Sequence, residues 1–399
     1  LNHSIWRGME FEDMVKCARK WVKYIQDVEK PDLLFGLFHS GLNGGIKTAD
    51  YEEDATEAVA QEVPGFDIIF FGHDHQVHNQ WITNKDGGQV LCIDPSCYVK
   101  NVAEAEIALT YKDGQLTKKN ISGKIIDVTN EKIDKQMLAH FQPKIDEVKA
   151  YCSRKIGRFE HPVYSRDGFF GNSAFTDLIH NLQLQISGAD ISFNAPLAFD
   201  NTIEAGEVTQ ADMFKLYRFE NLMFVLRMTG EAIYKYLEFS YSKWANTMKS
   251  ANDHALLLND NSKGDQQRSG FLHYTFNFDS AAGVDYEVDL TRPVGYKVRI
   301  LKMSNGEPFD MKKWYKVVMN SYRANGGGEL LTLGAGIPQD SLESRVIFHT
   351  EMDQRHYLTE EIHRLGSVDP MPNHNWRFVP ESWAVPALAR DRKQLFGNR

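Results

Sequence analysis

Phe66-Asp67-Ile68-Ile69-Phe70-Phe71-Gly72-His73-Asp74-His75 decides how this chain is read. Six largely apolar residues are too short for a helix, and a glycine stops them. That spells a buried strand, covered on both faces as in α/β folds. Ligands in such folds collect beyond the carboxyl ends of the strands, and here that end carries Gly72-His73-Asp74-His75. Alternation along extended chain sends His73 and His75 to one side, where both can reach one metal centre or two adjacent ones.

Working outward, Leu33–Phe38 is a second short apolar strand, and His39 follows it directly. His39 alone would more often be a satisfied polar residue than a ligand. Together with His73 and His75 it makes three imidazoles delivered to one sheet edge, the donor type that suits Zn, Mn, Co or Fe. Asp74 reads as an outer-shell or exposed residue, and His78 as a solvated loop residue. Upstream, Phe11, Met14, Val15, Ala18, Val22 and Ile25 recur at helical spacing. A polar, Gly-rich stretch runs from the first strand to Pro64-Gly65. Downstream, Val90–Ile93 and Ala105–Tyr111 are further strands, the latter turning at Asp113-Gly114.

Ile133, Met137, Phe141, Ile145 and Val148 mark a helix interrupted by Pro143, and a domain boundary is expected within residues 125–160. Beyond it, Thr209-x-x-Asp212 has the form of a capping box, and Thr229-Gly230-Glu231 opens another helix. Strands are expected across Phe271–Ile300, and Pro-rich irregular chain to the end. The fold class is thus α+β or α/β: residues 1–125 as one domain, 126–160 as a linker helix, and 161–399 as a mixed α/β domain.

Bulk properties narrow the function. In 399 residues, 54 acidic residues outnumber 45 basic ones, giving a formal charge of −9. This opposes duplex nucleic acid as a partner, which needs a basic surface, but not a small nucleotide. No run of 18 apolar residues is present, so no transmembrane segment is expected. No signal peptide is visible and the first residue is Leu1, which reads as a processed or truncated chain. Cys17, Cys92, Cys97 and Cys152 are too few for a disulfide scaffold; Cys92 and Cys97 are close enough in sequence to pair, and the redox compartment stays open.

A strand ending in His39-Ser40-Gly41, followed by one ending in Gly72-His73-Asp74-His75, resembles the C-terminal half of a calcineurin-like metallophosphoesterase domain. Asn320-Ser321-Tyr322-Arg323-Ala324-Asn325-Gly326-Gly327-Gly328 is similar to the Asn-x-aromatic-x-x-x-Gly-Gly signature of the 5′-nucleotidase family. Tyr217–Asn221 and Gly283–Leu290 resemble its 2′,3′-cyclic-nucleotide 2′-phosphodiesterase/3′-nucleotidase branch. The resemblance implies the end of a metallophosphoesterase sandwich, a linker helix and a nucleotide-specificity domain. It implies a hydrolase of nucleotide phosphoesters, periplasmic, secreted or otherwise of the cell envelope, with two divalent ions in the complete enzyme. A monomer is expected.

By the same resemblance, His39, His73 and His75 hold metal, Phe219 and Tyr322 sandwich the base, and Asn221 bonds the base edge. Gly327 lies where backbone approaches the ligand, although the three glycines equally suit a turn, and both aromatics could instead be core. Arginines beside both rings, Arg218 and Arg323, are unusual for buried packing. Two departures stand out. The stretch Asn194–Asp200 lacks the arginine that holds phosphate in strict 5′-nucleotidases. The family's first metal motifs, with its catalytic His-Asp pair, have no counterpart in residues 1–38. The competing expectation is therefore a nucleotide-binding module or fragment without catalytic activity.

Overall fold

A computed structural model describes residues 7–48, 51–263 and 268–397, in two compact units, His3–His140 and Phe141–Arg399. Positions 49 and 50 of the polar, Gly-rich stretch lie outside the described residues. In the first unit a four-stranded sheet runs in the order Phe35–Leu37, Ile68–Phe70, Gln89–Pro95, Val77–Thr83. The first three strands are parallel, and the last pairs antiparallel with Gln89–Pro95. Alternation sorts the apolar run onto two faces. Ile69 and Phe71 join Val90 and Cys92 under the helices Met14–Tyr24 and Thr56–Glu62. Ile68 joins Leu91 and Ile93 under the long hairpin Asn101–Lys112/Gln115–Asp127. The expected strands and first helix are present, with Asp13 accepting the Lys16 N–H as N-cap. His78 departs from expectation: it lies in the Val77–Thr83 strand opposite Asp94, not in a solvated loop.

The helix Lys135–Cys152 carries Pro143 inside it, and its apolar stripe stays exposed at Met137, Phe141 and Val148. All four cysteines are free thiols, and burial pushes the Cys92 thiol up to about 12.

The second unit is built on a five-stranded sheet in the order Ser280–Ala282, Ile191–Asn194, Trp314–Asn320, Met223–Thr229, Val346–His349. Helix Gly230–Trp244, N-capped by Thr229 as its sequence requires, buries Ile233, Tyr236, Leu237, Tyr241 and Trp244 in the largest core. Thr209 and Asp212 form the expected capping box. A second sheet places Val284–Asp289 between Val298–Met303 and Trp376–Val379. There Glu287, opposite both Arg299 and Arg377, pairs with each. The closing region is not irregular: it contains helices Gln354–Leu365 and Glu381–Phe396. Composition misleads there, since Pro380 precedes the last helix and Pro386 is accommodated within it.

Candidate functional site

Two clusters carry the chemistry, one in each unit. In the first, Ser40 and Gly72 form a bridge just past the two strand ends that deliver the histidines. The Ser40 hydroxyl donates to the Glu53 carbonyl at 2.7 Å, and Asp54 accepts the Gly41 N–H at 2.7 Å. These bonds dock the short strand Glu52–Asp54 and aim Glu53 at the histidines. His73 Nε2–H donates to Glu53 Oε1 over 3.1 Å, leaving His73 Nδ1 3.3 Å from His39 Nε2. The bond from Glu53, helped by the charges of Asp54 and Asp74, holds the His73 pKa above its ordinary value despite partial burial. The same bond keeps Glu53 low.

His73 and His75 sit at φ +112° and +60°, left-handed conformations that cost about 1–3 kcal/mol each and collect at functional turns. The His75 carbonyl accepts the Ser96 hydroxyl at 2.7 Å, and the His75 ring lies 6.1 Å from that of Tyr98. Asp74 is not exposed. It accepts the Leu42 and Gln76 N–H groups and pairs with His78 Nε2 at 3.2 Å, tying the turn together. Asp94 is fully buried behind it, with Oδ2 unpartnered among the described residues. Burial pushes that carboxyl up to about 6.

Two imidazoles bound to one tetrahedral ion at about 2.0–2.1 Å place their nitrogens about 3.3 Å apart, the separation seen for His39 and His73. Carboxylates on the far nitrogen of a metal-binding histidine orient the ring, as Glu53 does for His73. That separation is also hydrogen-bond length, so the pair offers at most two of the donors that a tetrahedral ion needs. No group of three or more His, Cys, Asp or Glu side chains gathers for a metal among the described residues. Glu53 escaped sequence reading because its acidic run, Glu52-Glu53-Asp54, lies far from the histidines in sequence.

In the second unit, antiparallel pairing sets Met223 opposite Asn320, so the segments just outside this pair are neighbours. Phe219 precedes the strand Met223–Thr229, and Tyr322 sits on the short helix Ser321–Ala324 after its partner. Ser321 N–H donates to Leu222 O at 2.8 Å, and Ser321 Oγ donates to Asn221 Oδ1 at 3.4 Å. The Asn221 amide also donates to the Tyr217 hydroxyl at 3.4 Å, so Asn221 is positioned by these two bonds. Phe219 is 38% exposed and Tyr322 42%; neither is a core aromatic. Arg218 lies 5.2 Å over Phe219. Arg355, missed in the sequence, reaches the carbonyls of Tyr217 and Arg218 and the Glu220 carboxylate, fastening the Phe219 loop.

Arg323 corrects the expectation that an arginine here signals an open edge. It is 1% exposed and paired with the equally buried Asp279. Gly326 and Gly328 take φ +96° and +71°. Gly327 is needed for a different reason: a Cβ there would lie 2.5 Å from the Tyr322 ring. Beside the arginine-free stretch Asn194–Asp200, Arg166 pairs with Asp200 at 2.9 Å, so a cation does stand there, donated by another segment.

Residues 155–334, which hold both aromatics, match the family described as 5′-nucleotidase, C-terminal domain. This segment is a 5′-nucleotidase C-terminal domain. Around the nucleotidase-type domain the likeness extends further. The chain is 24% identical over 432 residues to a 2′,3′-cyclic-nucleotide 2′-phosphodiesterase/3′-nucleotidase of Haemophilus influenzae, covering 93% of this chain and 61% of that protein. The Salmonella typhimurium protein of the same description is also 24% identical, with 92% and 62% covered. The chain thus spans about three-fifths of the length of these relatives, which are nucleotide phosphoesterases by description. In fold it resembles a crystal structure of a candidate 5′-nucleotidase from Staphylococcus aureus. The TM-score is 0.68 at 18% identity, covering 92% of this chain and 68% of the other. The mixed α/β architecture is that of this group. Among the described residues, no helix is long and apolar enough to cross a membrane.

Proposed function

We propose that the chain supplies the nucleotide-binding domain and part of the metal site of a divalent-metal-dependent phosphoric ester hydrolase. The substrate class is 2′,3′-cyclic or 3′-nucleotides rather than strict 5′-nucleotides, with a periplasmic or cell-envelope location. The observation that carries this reading is the pair Phe219 and Tyr322, half-exposed on neighbouring segments just outside the Met223–Asn320 strand pairing. Two large aromatics left half in water at adjacent strand ends offer open π-faces that a flat ligand can cover. A base stacked on such a ring contributes about 1–3 kcal/mol, whatever the base, because every base has a π-face. Asn221 stands beside them for the base edge, and Gly327 backs the Tyr322 ring. The arginine-free stretch Asn194–Asp200 and the likeness to the cyclic phosphodiesterases favour that branch.

In the metal site, His39 Nε2 and His73 Nδ1 would hold an ion, with Glu53 fixing the His73 ring; His75 is the third candidate. A bound divalent ion supplies Lewis-acid polarisation of a phosphoryl oxygen. His39 and His73 furnish only half a shell, which also supports a second reading: the chain alone binds nucleotide without turning it over. Incubating it with Mn²⁺ or Zn²⁺ and either 2′,3′-cyclic AMP or 3′-AMP, while measuring binding and phosphate release, tests both. Nucleotide binding with little or no release is the expected result. Binding of neither nucleotide nor adenosine would remove the proposal.

A further inference from the structure

We propose that Arg323 and Asp279 are positioning residues for the Tyr322 wall of the nucleobase slot, acting through Gly327 and Phe276; this rests on the nucleotide reading above. Arg323 donates from Nε and Nη2 to the two Asp279 oxygens, at 3.1 and 2.8 Å. Both side chains are at least 96% buried. The Tyr236 hydroxyl completes Asp279 from the core helix Gly230–Trp244.

An ion pair so buried needs more partners than its counter-ion, because each guanidinium hydrogen left unbonded carries a desolvation cost. The remaining donors all go to the two segments that surround the Tyr322 ring. Nη1 bonds the Gly327 carbonyl and, at 3.1 Å, the Asn277 side chain. Nη2 bonds the Phe276 carbonyl at 2.8 Å. Gly327 lies against the ring so closely that a Cβ would enter it. Phe276 meets the ring edge-on, with centroids 6.1 Å apart. One planar, five-donor fork thus fixes two neighbours of a ring that is itself 42% exposed. A buried charge cluster serving stability alone could close on side chains only; this one also bonds the backbone carbonyls of Gly327 and Phe276, two residues against the ring, and its guanidinium lies 5.6 Å from the ring centroid. Lysine, a point donor with no fork, could not reproduce it.

The test measures adenosine affinity by calorimetry in the full chain, with the near-ultraviolet difference spectrum of stacked adenine and a melting curve for each variant. Gly327→Ala displaces the ring without touching the ion pair. It is expected to keep its melting temperature, lose at least 5-fold in affinity and lose the stacking signature. Arg323→Lys should lose affinity similarly, at a lower melting temperature. In a Tyr322→Ala background, Gly327→Ala should cost nothing further, since the ring through which it acts is gone. Wild-type binding that Gly327→Ala leaves unchanged, or an equal loss with and without Tyr322, overturns the proposal while the nucleotide reading stands. Failure of the unsubstituted chain to bind adenosine overturns both.

Discussion

The two units support their candidate chemistry in opposite ways. In the His3–His140 unit, His39 and His73 stand on exposed turns, and the main device fixing them is one carboxylate, Glu53, itself part-exposed. In the Phe141–Arg399 unit, exposed Tyr322 rests on an ion pair within the largest packed region of the chain. Each arrangement matches what its ligand requires. An ion draws its donors into place with its own charge and can complete a loosely held shell. A neutral base has only π-faces and a polar edge, so its walls must stand ready beforehand. The metal-type site can therefore be unfinished and strained, with His73 and His75 at positive φ, whereas the aromatic site must be built rigid.

This contrast breaks most easily at the buried pair. Replacing Arg323 with Met leaves Asp279 charged and unpaired in the interior, and should destabilise the Phe141–Arg399 unit by about 3–5 kcal/mol. His73→Ala, at a half-exposed turn, should leave its own unit's stability nearly unchanged or slightly improved. Urea unfolding of both variants decides; equal losses would erase the distinction.

Metal binding sharpens it next. The unsubstituted chain should hold divalent metal weakly, at one site at most. His73→Ala should abolish that binding and Glu53→Gln weaken it about 10–100-fold, the usual range for outer-shell partners. His78→Ala should weaken it less, since His78 is spent on Asp74. Elemental analysis after dialysis that found two tightly held ions per chain would show the shell to be complete without further donors.

A smaller effect tests how the strands of the second unit's three-stranded sheet around Val284–Asp289 are tied. Glu287 is held low by Arg299 and Arg377 on the two flanking strands. Its folded pKa is below the unfolded one, so its contribution is present above the ordinary glutamate value and is lost as pH falls through the lowered one. Both arginines are largely exposed, which reduces the contribution to about 1 kcal/mol. Glu287→Gln should be less stable than the unsubstituted chain at pH 6–8, and the gap should close in acid. A gap independent of pH would assign the loss to packing.

How much of this was legible in the sequence follows from the range of the forces. The parallel strands, the Thr209–Asp212 capping box and the Thr229 cap are local patterns and could be read directly. His73 next to a strand end was equally plain. Glu53 and Asp279 were not, because their value comes from partners 20 and 44 residues away. Arg323 was misread for a related reason: a charge is expected at the surface unless its partner is known. The last helix was hidden by Pro380 at its start and Pro386 inside it, in a stretch whose proline-rich composition reads as irregular chain. Asp353, which accepts the His356 N–H, was an N-cap signal that could have revealed the helix Gln354–Leu365.

Adenosine titration into the unsubstituted chain, Phe219→Ala and Tyr322→Ala, with melting curves for all three, tests the central claim most directly. The two rings are half-exposed, so truncation should hardly move the melting temperature. Each should lower affinity by the worth of one base–aromatic stack, about 1–3 kcal/mol, or roughly 5- to 150-fold. Unchanged affinity together with a large fall in melting temperature, the signature of a core aromatic at about 3–5 kcal/mol, would contradict the claim that these rings hold a nucleobase.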